Sequence, residues 1–172
     1  MLSKKVTEAL NAQVEKEAYS SHLYIAMASW AEVKGYSGVA DWLYAQSDEE
    51  RLHMLKILRY INERGSEGRL GAVKEPPREY GSVKELFEAV LKHEQFISQS
   101  INEIVLLCGE EKDFTTQNFL QWFVNEQIEE EKNVRLILDK IKLVGDHNMY
   151  IFDRDIMSLR QPSPSPAQGN TP

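Results

Sequence analysis

Glu50 and His53 stand three residues apart within an otherwise apolar stripe formed by Leu43, Ile57 and Ile61. At about 100° per residue such a pair leaves one face of a helix together, a carboxylate beside an imidazole. A lone carboxylate enters a similar stripe in two other segments: Glu17 among Leu10, Val14, Tyr24 and Ala28, and Glu94 among Val90, Ile97 and Ile101. A further segment adds Gln127 and Glu130 between Phe123 and Val134. Each of these charges, buried without a partner, would cost several kcal/mol. Bound cations remove that cost. The four glutamates, once ionised, carry four negative charges, which two divalent cations match, with Glu50 placed to be shared between them. Oxygen ligands with a single imidazole suit iron, manganese and zinc about equally, and spacing alone does not choose among them. The competing reading is a bundle whose interior acids are simply protonated.

Four long helices are needed to bring these residues together. Ser3 is a suitable N-cap, and helical periodicity runs over about 4–33 until Gly35 and Gly38 interrupt it. The next segment, about 39–64, is closed by Gly65. Residues 65–81 hold four glycines and the pair Pro76-Pro77, and so read as a long loop. Stretched, that loop reaches roughly 55 Å, more than the ~40 Å length of the helix before it, so it can cross over. Ser82 caps a third segment, 82–109, and a fourth spans about 113–144, stopped by Gly145. Short joints around the long one imply two antiparallel pairs and an all-α four-helix bundle with one long crossover between its second and third helices. A short fifth helix over 146–160 carries Met149, Phe152, Ile156 and Leu159 at helical spacing. With four helices already closing a core, its apolar face is expected at the bundle's end or against other subunits, with a role in assembly. Residues 161–172, rich in Pro and Ser, read as a disordered tail.

The bulk composition narrows the partners. A chain of 172 residues suits one domain, here 1–160. A formal charge of −7 argues against nucleic acid and anionic membranes and favours cations. Its single cysteine, Cys108, excludes an internal disulfide and any paired-cysteine metal knuckle. The start, MLSKKVTEAL, lacks a signal peptide's apolar core, and no apolar run approaches the ~20 residues that span a bilayer. A cytoplasmic protein is expected.

Together, VEKEAYSSHLY, SDEERLHML, KHEQF and NEQIEEEKN, with the glutamates and histidine at these places, resemble the haem-free ferritins of bacteria over roughly residues 1–160. The resemblance implies a ferroxidase that oxidises Fe(II) with O2 or H2O2 and stores the ferric product in a hollow homo-oligomeric shell of 24 subunits. By that resemblance Glu17, Glu50 and His53 hold one iron, and Glu50, Glu94 and Glu130 the second, with Gln127 nearby. Symmetric relatives such as bacterioferritin and rubrerythrin carry glutamate and histidine where this chain has Gln127 and Glu130. Bacterioferritin holds haem through a methionine between its paired glutamate and histidine; those places are Arg51 and Leu52, so no haem is expected. Glu49, Glu126 and Glu129 match the positions at which bacterial ferritins bind a third iron beside Glu130, although Glu129, Glu130 and Glu131 also read as a solvated acidic run. Tyr24 resembles the family tyrosine that supplies an electron during oxygen reduction; Trp122 is a second candidate, and both are also natural core residues. His22, His93 and His147 read as structural or surface histidines. The alternative function is a peroxide-reducing or other di-iron carboxylate oxidoreductase without storage, which would need an electron donor. A bundle holding a redox-inert ion such as zinc is the non-enzymatic rival.

Overall fold

The computed structural model describes residues 1–160; the tail expected over 161–172 lies outside the described residues. The chain forms four long helices, α1 (Lys4–Val33), α2 (Ser37–Glu63), α3 (Val83–Glu110) and α4 (Phe114–Val144). Ser3 and Ser82 cap α1 and α3 by accepting from Val6 N and Glu85 N, so both starts follow the hydroxyl that satisfies an orphan amide. Asp113 does the same for α4 through Thr116 N. Gly65, just after α2, adopts φ +76°, a left-handed turn that releases the chain from the helix.

α1 packs along α2, α3 along α4, and α1 also along α3. The crossover between α2 and α3 is pinned to the outside of α1. Asn11 Oδ1 accepts from Arg69 N at 2.7 Å while Asn11 Nδ2 donates to the Glu67 carbonyl at 3.1 Å. These bonds give an otherwise irregular loop its backbone partners.

Two apolar clusters fill the bundle's ends. One contains Leu10, Val14, Ile57, Ile101, Cys108 and Phe123; the other contains Tyr24, Trp42, Leu43, Phe87, Val90 and Ile141. Between them lies a layer of buried polar side chains.

After Gly145 a 3₁₀ turn (Asp146–Asn148) leads into α5 (Met149–Asp155) and a second 3₁₀ turn, Ile156–Leu159. Of the two places expected for this segment's apolar face, the structure bears out the bundle's end: Phe152 and Ile156 are 3% and 0% exposed and belong to the chain's own end cluster. Asp153 Oδ1 accepts from Val39 N at 2.9 Å and so caps the first turn of α2. The Asp153 carbonyl lies only 1.8 Å from where a Cβ on Gly38 would stand, which explains the glycine there.

Candidate metal centre

α2 supplies the middle of the polar layer because Gln46, Ser47, Glu50, His53 and Ile57 all fall on its buried face. His53 is oriented by the Trp122 and Phe123 rings, met edge-on with centroids 5.4 and 6.0 Å away. Its Nδ1 lies 3.4 Å from Glu50 Oε2. α1 brings Glu17 to the same place, and ligand atoms of Glu17, Glu50 and His53 all lie within 4.8 Å of one another. All three side chains are buried, and Glu17 Oε2 and Glu50 Oε1 have no hydrogen-bond partner among the described residues. Buried oxygens left in this state cost free energy unless a cation takes up their lone pairs.

Glu94 on α3 and Glu130 on α4 adjoin this trio and are also buried. Glu94 accepts from the Tyr24 hydroxyl on Oε1 and from Gln127 Nε2, at 2.9 Å, on Oε2. Glu130 Oε2 accepts from Gln46 Nε2 at 2.7 Å. Glu17 Oε1 accepts from Gln13 Nε2 at 2.7 Å, and Gln13 Oε1 in turn accepts from Ser100 Oγ at 2.6 Å. Ser100 meets the Lys16 ammonium.

Burial holds the Glu17, Glu50 and Glu130 carboxyls well above the ordinary carboxylate range, with repulsion from neighbouring carboxylates adding to it. Glu94 is raised for the same leading reason, and the Tyr24 and Gln127 hydrogen bonds pull it partly back. Burial and the Glu94 charge push the Tyr24 phenol well up, so it keeps its proton at neutral pH and donates it in the hydrogen bond to Glu94. A cation bound by a layer with these shifts would be taken up in exchange for protons.

Of the outer set, Glu126 is 4% exposed, more deeply buried than its place at the edge of an apolar arc suggests, and its Oε1 has no partner among the described residues. Glu49 Oε2 lies 2.7 Å from Arg160 Nη2, and Glu129 is exposed. Trp122 is half-buried under the Lys56 ammonium, which sits 3.6 Å from its ring centroid. His22 and His147 are exposed, whereas His93 is half-buried, 2.8 Å from Ser20 Oγ and edge-on to Tyr24; burial lowers it to about 4.

Gln13, Gln46, Ser100 and Arg160 did not emerge from sequence. A signal for the glutamines was present: each lies four residues before a stripe glutamate, Gln13 before Glu17 and Gln46 before Glu50. Nothing in the sequence pairs Arg160 with Glu49.

Residues 7–144 match the ferritin-like domain family. A bacterial non-heme ferritin of Campylobacter jejuni is 43% identical over 161 residues, covering 92% of this chain and 96% of its own. A probable bacterial non-heme ferritin-like protein of Haemophilus influenzae is 42% identical, covering 92% and 98%. Among solved structures, an open-pore ferritin of Archaeoglobus fulgidus superimposes with a TM-score of 0.90 at 41% identity, over 94% of this chain and 100% of its own. The bundle, its crossover and the buried carboxylate layer thus agree with matches spanning nearly the whole chain, which belongs to the ferritin family.

Proposed function

We propose that the protein is an iron-storage ferroxidase of the cytoplasm, oxidising Fe(II) at an intra-subunit two-iron site and retaining the ferric product inside a 24-subunit shell. The observation that carries this reading is the buried trio Glu17, Glu50 and His53, its ligand atoms within 4.8 Å of one another and two of its oxygens unpartnered. Glu17, Glu50 and His53 would hold one Fe(II). Glu50, Glu94 and Glu130 would hold the other, with Gln127 fixing Glu94. Family membership and relatives described as non-heme ferritins support iron as the cation over manganese or zinc.

Two Fe(II) ions release two electrons, the number that reduces O2 to H2O2 or H2O2 to water, with two protons consumed in either case. The raised carboxyls supply such protons, because each must ionise as its cation binds. Tyr24 would supply a further electron during oxygen reduction, its phenol proton passing to Glu94, on which it already rests. By the resemblance to the third-iron positions of bacterial ferritins, Glu49, whose charge acts on Glu130, would take a third iron together with Glu126 and Glu129.

Anaerobic Fe(II) titration of the assembled protein, followed by exposure to O2, tests the reading. Rapid oxidation of two Fe(II) per subunit in a particle the size of a 24-subunit shell is expected. A small particle that turns over peroxide with an added electron donor would instead make it a non-storage di-iron oxidoreductase.

A further inference from the structure

The outer carboxylates already face positive charge from the chain itself. Arg160 Nη2 lies 2.7 Å from Glu49 Oε2, with both side chains about 15% exposed. The same nitrogen donates to the Ala45 carbonyl at 3.3 Å, and Arg160 Nε is buried without a partner among the described residues. The C-terminal segment delivers Arg160 there. Asp153 fastens it to Val39 at the start of α2, Phe152 and Ile156 anchor it in the end cluster, and the turn Ile156–Leu159 carries it along α2. From Val39 to Glu49 is roughly 15 Å of helix. Glu49 is no bystander, because its charge acts on both Glu50 and Glu130. One turn before Glu130 on α4, the buried Glu126 has an oxygen without a partner among the described residues and lies within the field of Lys56.

A metal cation arriving among Glu49, Glu126 and Glu130 meets two costs. It must pull Glu49 from a guanidinium that is little exposed, and it is repelled by that guanidinium while it stays. We propose that Arg160 is an internal competitor at the outer cation position: it holds Glu49 while the position is empty and lowers the affinity for the metal cation that replaces it. This inference rests on the reading that the outer carboxylates bind a cation.

Calorimetric titration of the assembled, full-length protein with Zn²⁺ tests it, because zinc binds without redox turnover. The parent should show a tight inner class of sites and a weaker outer class. Arg160→Gln should tighten the outer class by roughly three- to tenfold and leave the inner class unchanged. Arg160→Lys, which keeps the charge, should stay near the parent, and in a Glu49→Gln background, where the ion pair is already gone and only repulsion is left, Arg160→Gln should tighten the remaining outer binding clearly less than it does in the parent. Arg160→Met serves as the neutral variant if Arg160→Gln does not assemble. An unchanged or weakened outer class in the neutral variant would make the pair merely structural and overturn the proposal. So would a gain as large in the Glu49→Gln background as in the parent. Loss of the outer class altogether, shown by Glu49→Gln and Glu126→Gln leaving the zinc stoichiometry untouched, would remove the outer site itself and the competitor with it.

Discussion

The inner and outer carboxylates sit side by side, yet the chain surrounds them with different chemistry. Glu17, Glu94 and Glu130 receive hydrogen bonds from neutral groups, Gln13, Tyr24, Gln127 and Gln46. Glu49 instead pairs with the Arg160 guanidinium, and Glu126 lies in the field of the Lys56 ammonium. A neutral donor fixes the position of a carboxylate without cancelling its charge. A fixed cation cancels the charge and must be displaced before another can bind. The inner layer is therefore geometrically prepared and electrostatically unfinished, which is the condition for tight cation uptake, whereas the outer cluster is partly finished already.

The largest effect should come from breaking the inner group. Glu50→Ala removes the shared carboxylate and His53→Ala the only imidazole, and either should slow oxidation of the first iron pair by about 100-fold or more. Glu129→Ala should stay within about threefold of the parent in that phase and change only the later stoichiometry. Stopped-flow oxidation at two Fe(II) per subunit, on shells checked for size, makes the comparison. If Glu50→Ala kept the parent rate while Glu129→Ala lost it, the chemistry would belong to the outer cluster.

Neutral donors should matter by an intermediate amount. Gln46→Leu leaves Glu130 without its amide and should lower inner-site cation affinity by about tenfold. An equal loss at the outer class would show that the two regions are one site. The outer region has a mechanical test as well. Gly38→Ala drives a Cβ into the Asp153 carbonyl and should unseat α5, costing about 1–3 kcal/mol of stability. Oxidation at the inner site should remain within about twofold, because α5 is held in the end cluster and at the start of α2, by Phe87 and Val39, rather than in the carboxylate layer; a collapse of activity in folded Gly38→Ala shells would join the two regions.

Stripe residues were legible because helical period is a local property. Leu10, Val14, Ile57, Ile97 and Ile101 lie at 0–1% exposure, and the interrupting Glu17, Glu50 and Glu94 lie there with them. What period cannot give is the partner across the bundle. Gln46 reaching Glu130 and Arg160 reaching Glu49 are meetings of distant segments that depend on how helices are rotated and on where the last turn ends. α5 shows the same limit: its apolar face was readable, but sequence left open whether that face met the bundle's end or other subunits, and the structure packs Phe152 edge-on against Phe87 of its own chain. Glu126 fell at the edge of an arc, and a few degrees of helix rotation decide whether such a residue is wet or buried.

A last expected effect follows from the unfinished charge of the inner layer in the metal-free protein. Burial raises Glu17, Glu50, Glu94 and Glu130 above their values in the unfolded chain, so between the ordinary glutamate range and those raised values the folded state binds more protons than the unfolded state. Stability then falls as pH rises: the contribution is complete below the unfolded pKa and is lost as pH climbs through the folded one. Each fully shifted group contributes a slope of at most about 1.4 kcal/mol per pH unit. Glu17→Gln keeps the shape, removes one titrating group and relieves its neighbour Glu50 of a repelling charge. After chelation of all metal, the variant should therefore lose less stability than the parent between about pH 5 and about pH 8. Denaturation midpoints across that range supply the measurement. A steeper loss in Glu17→Gln, or a parent that gains stability toward alkaline pH without metal, would mean that the chain neutralises the inner carboxylates by itself and would erase the distinction between the two regions.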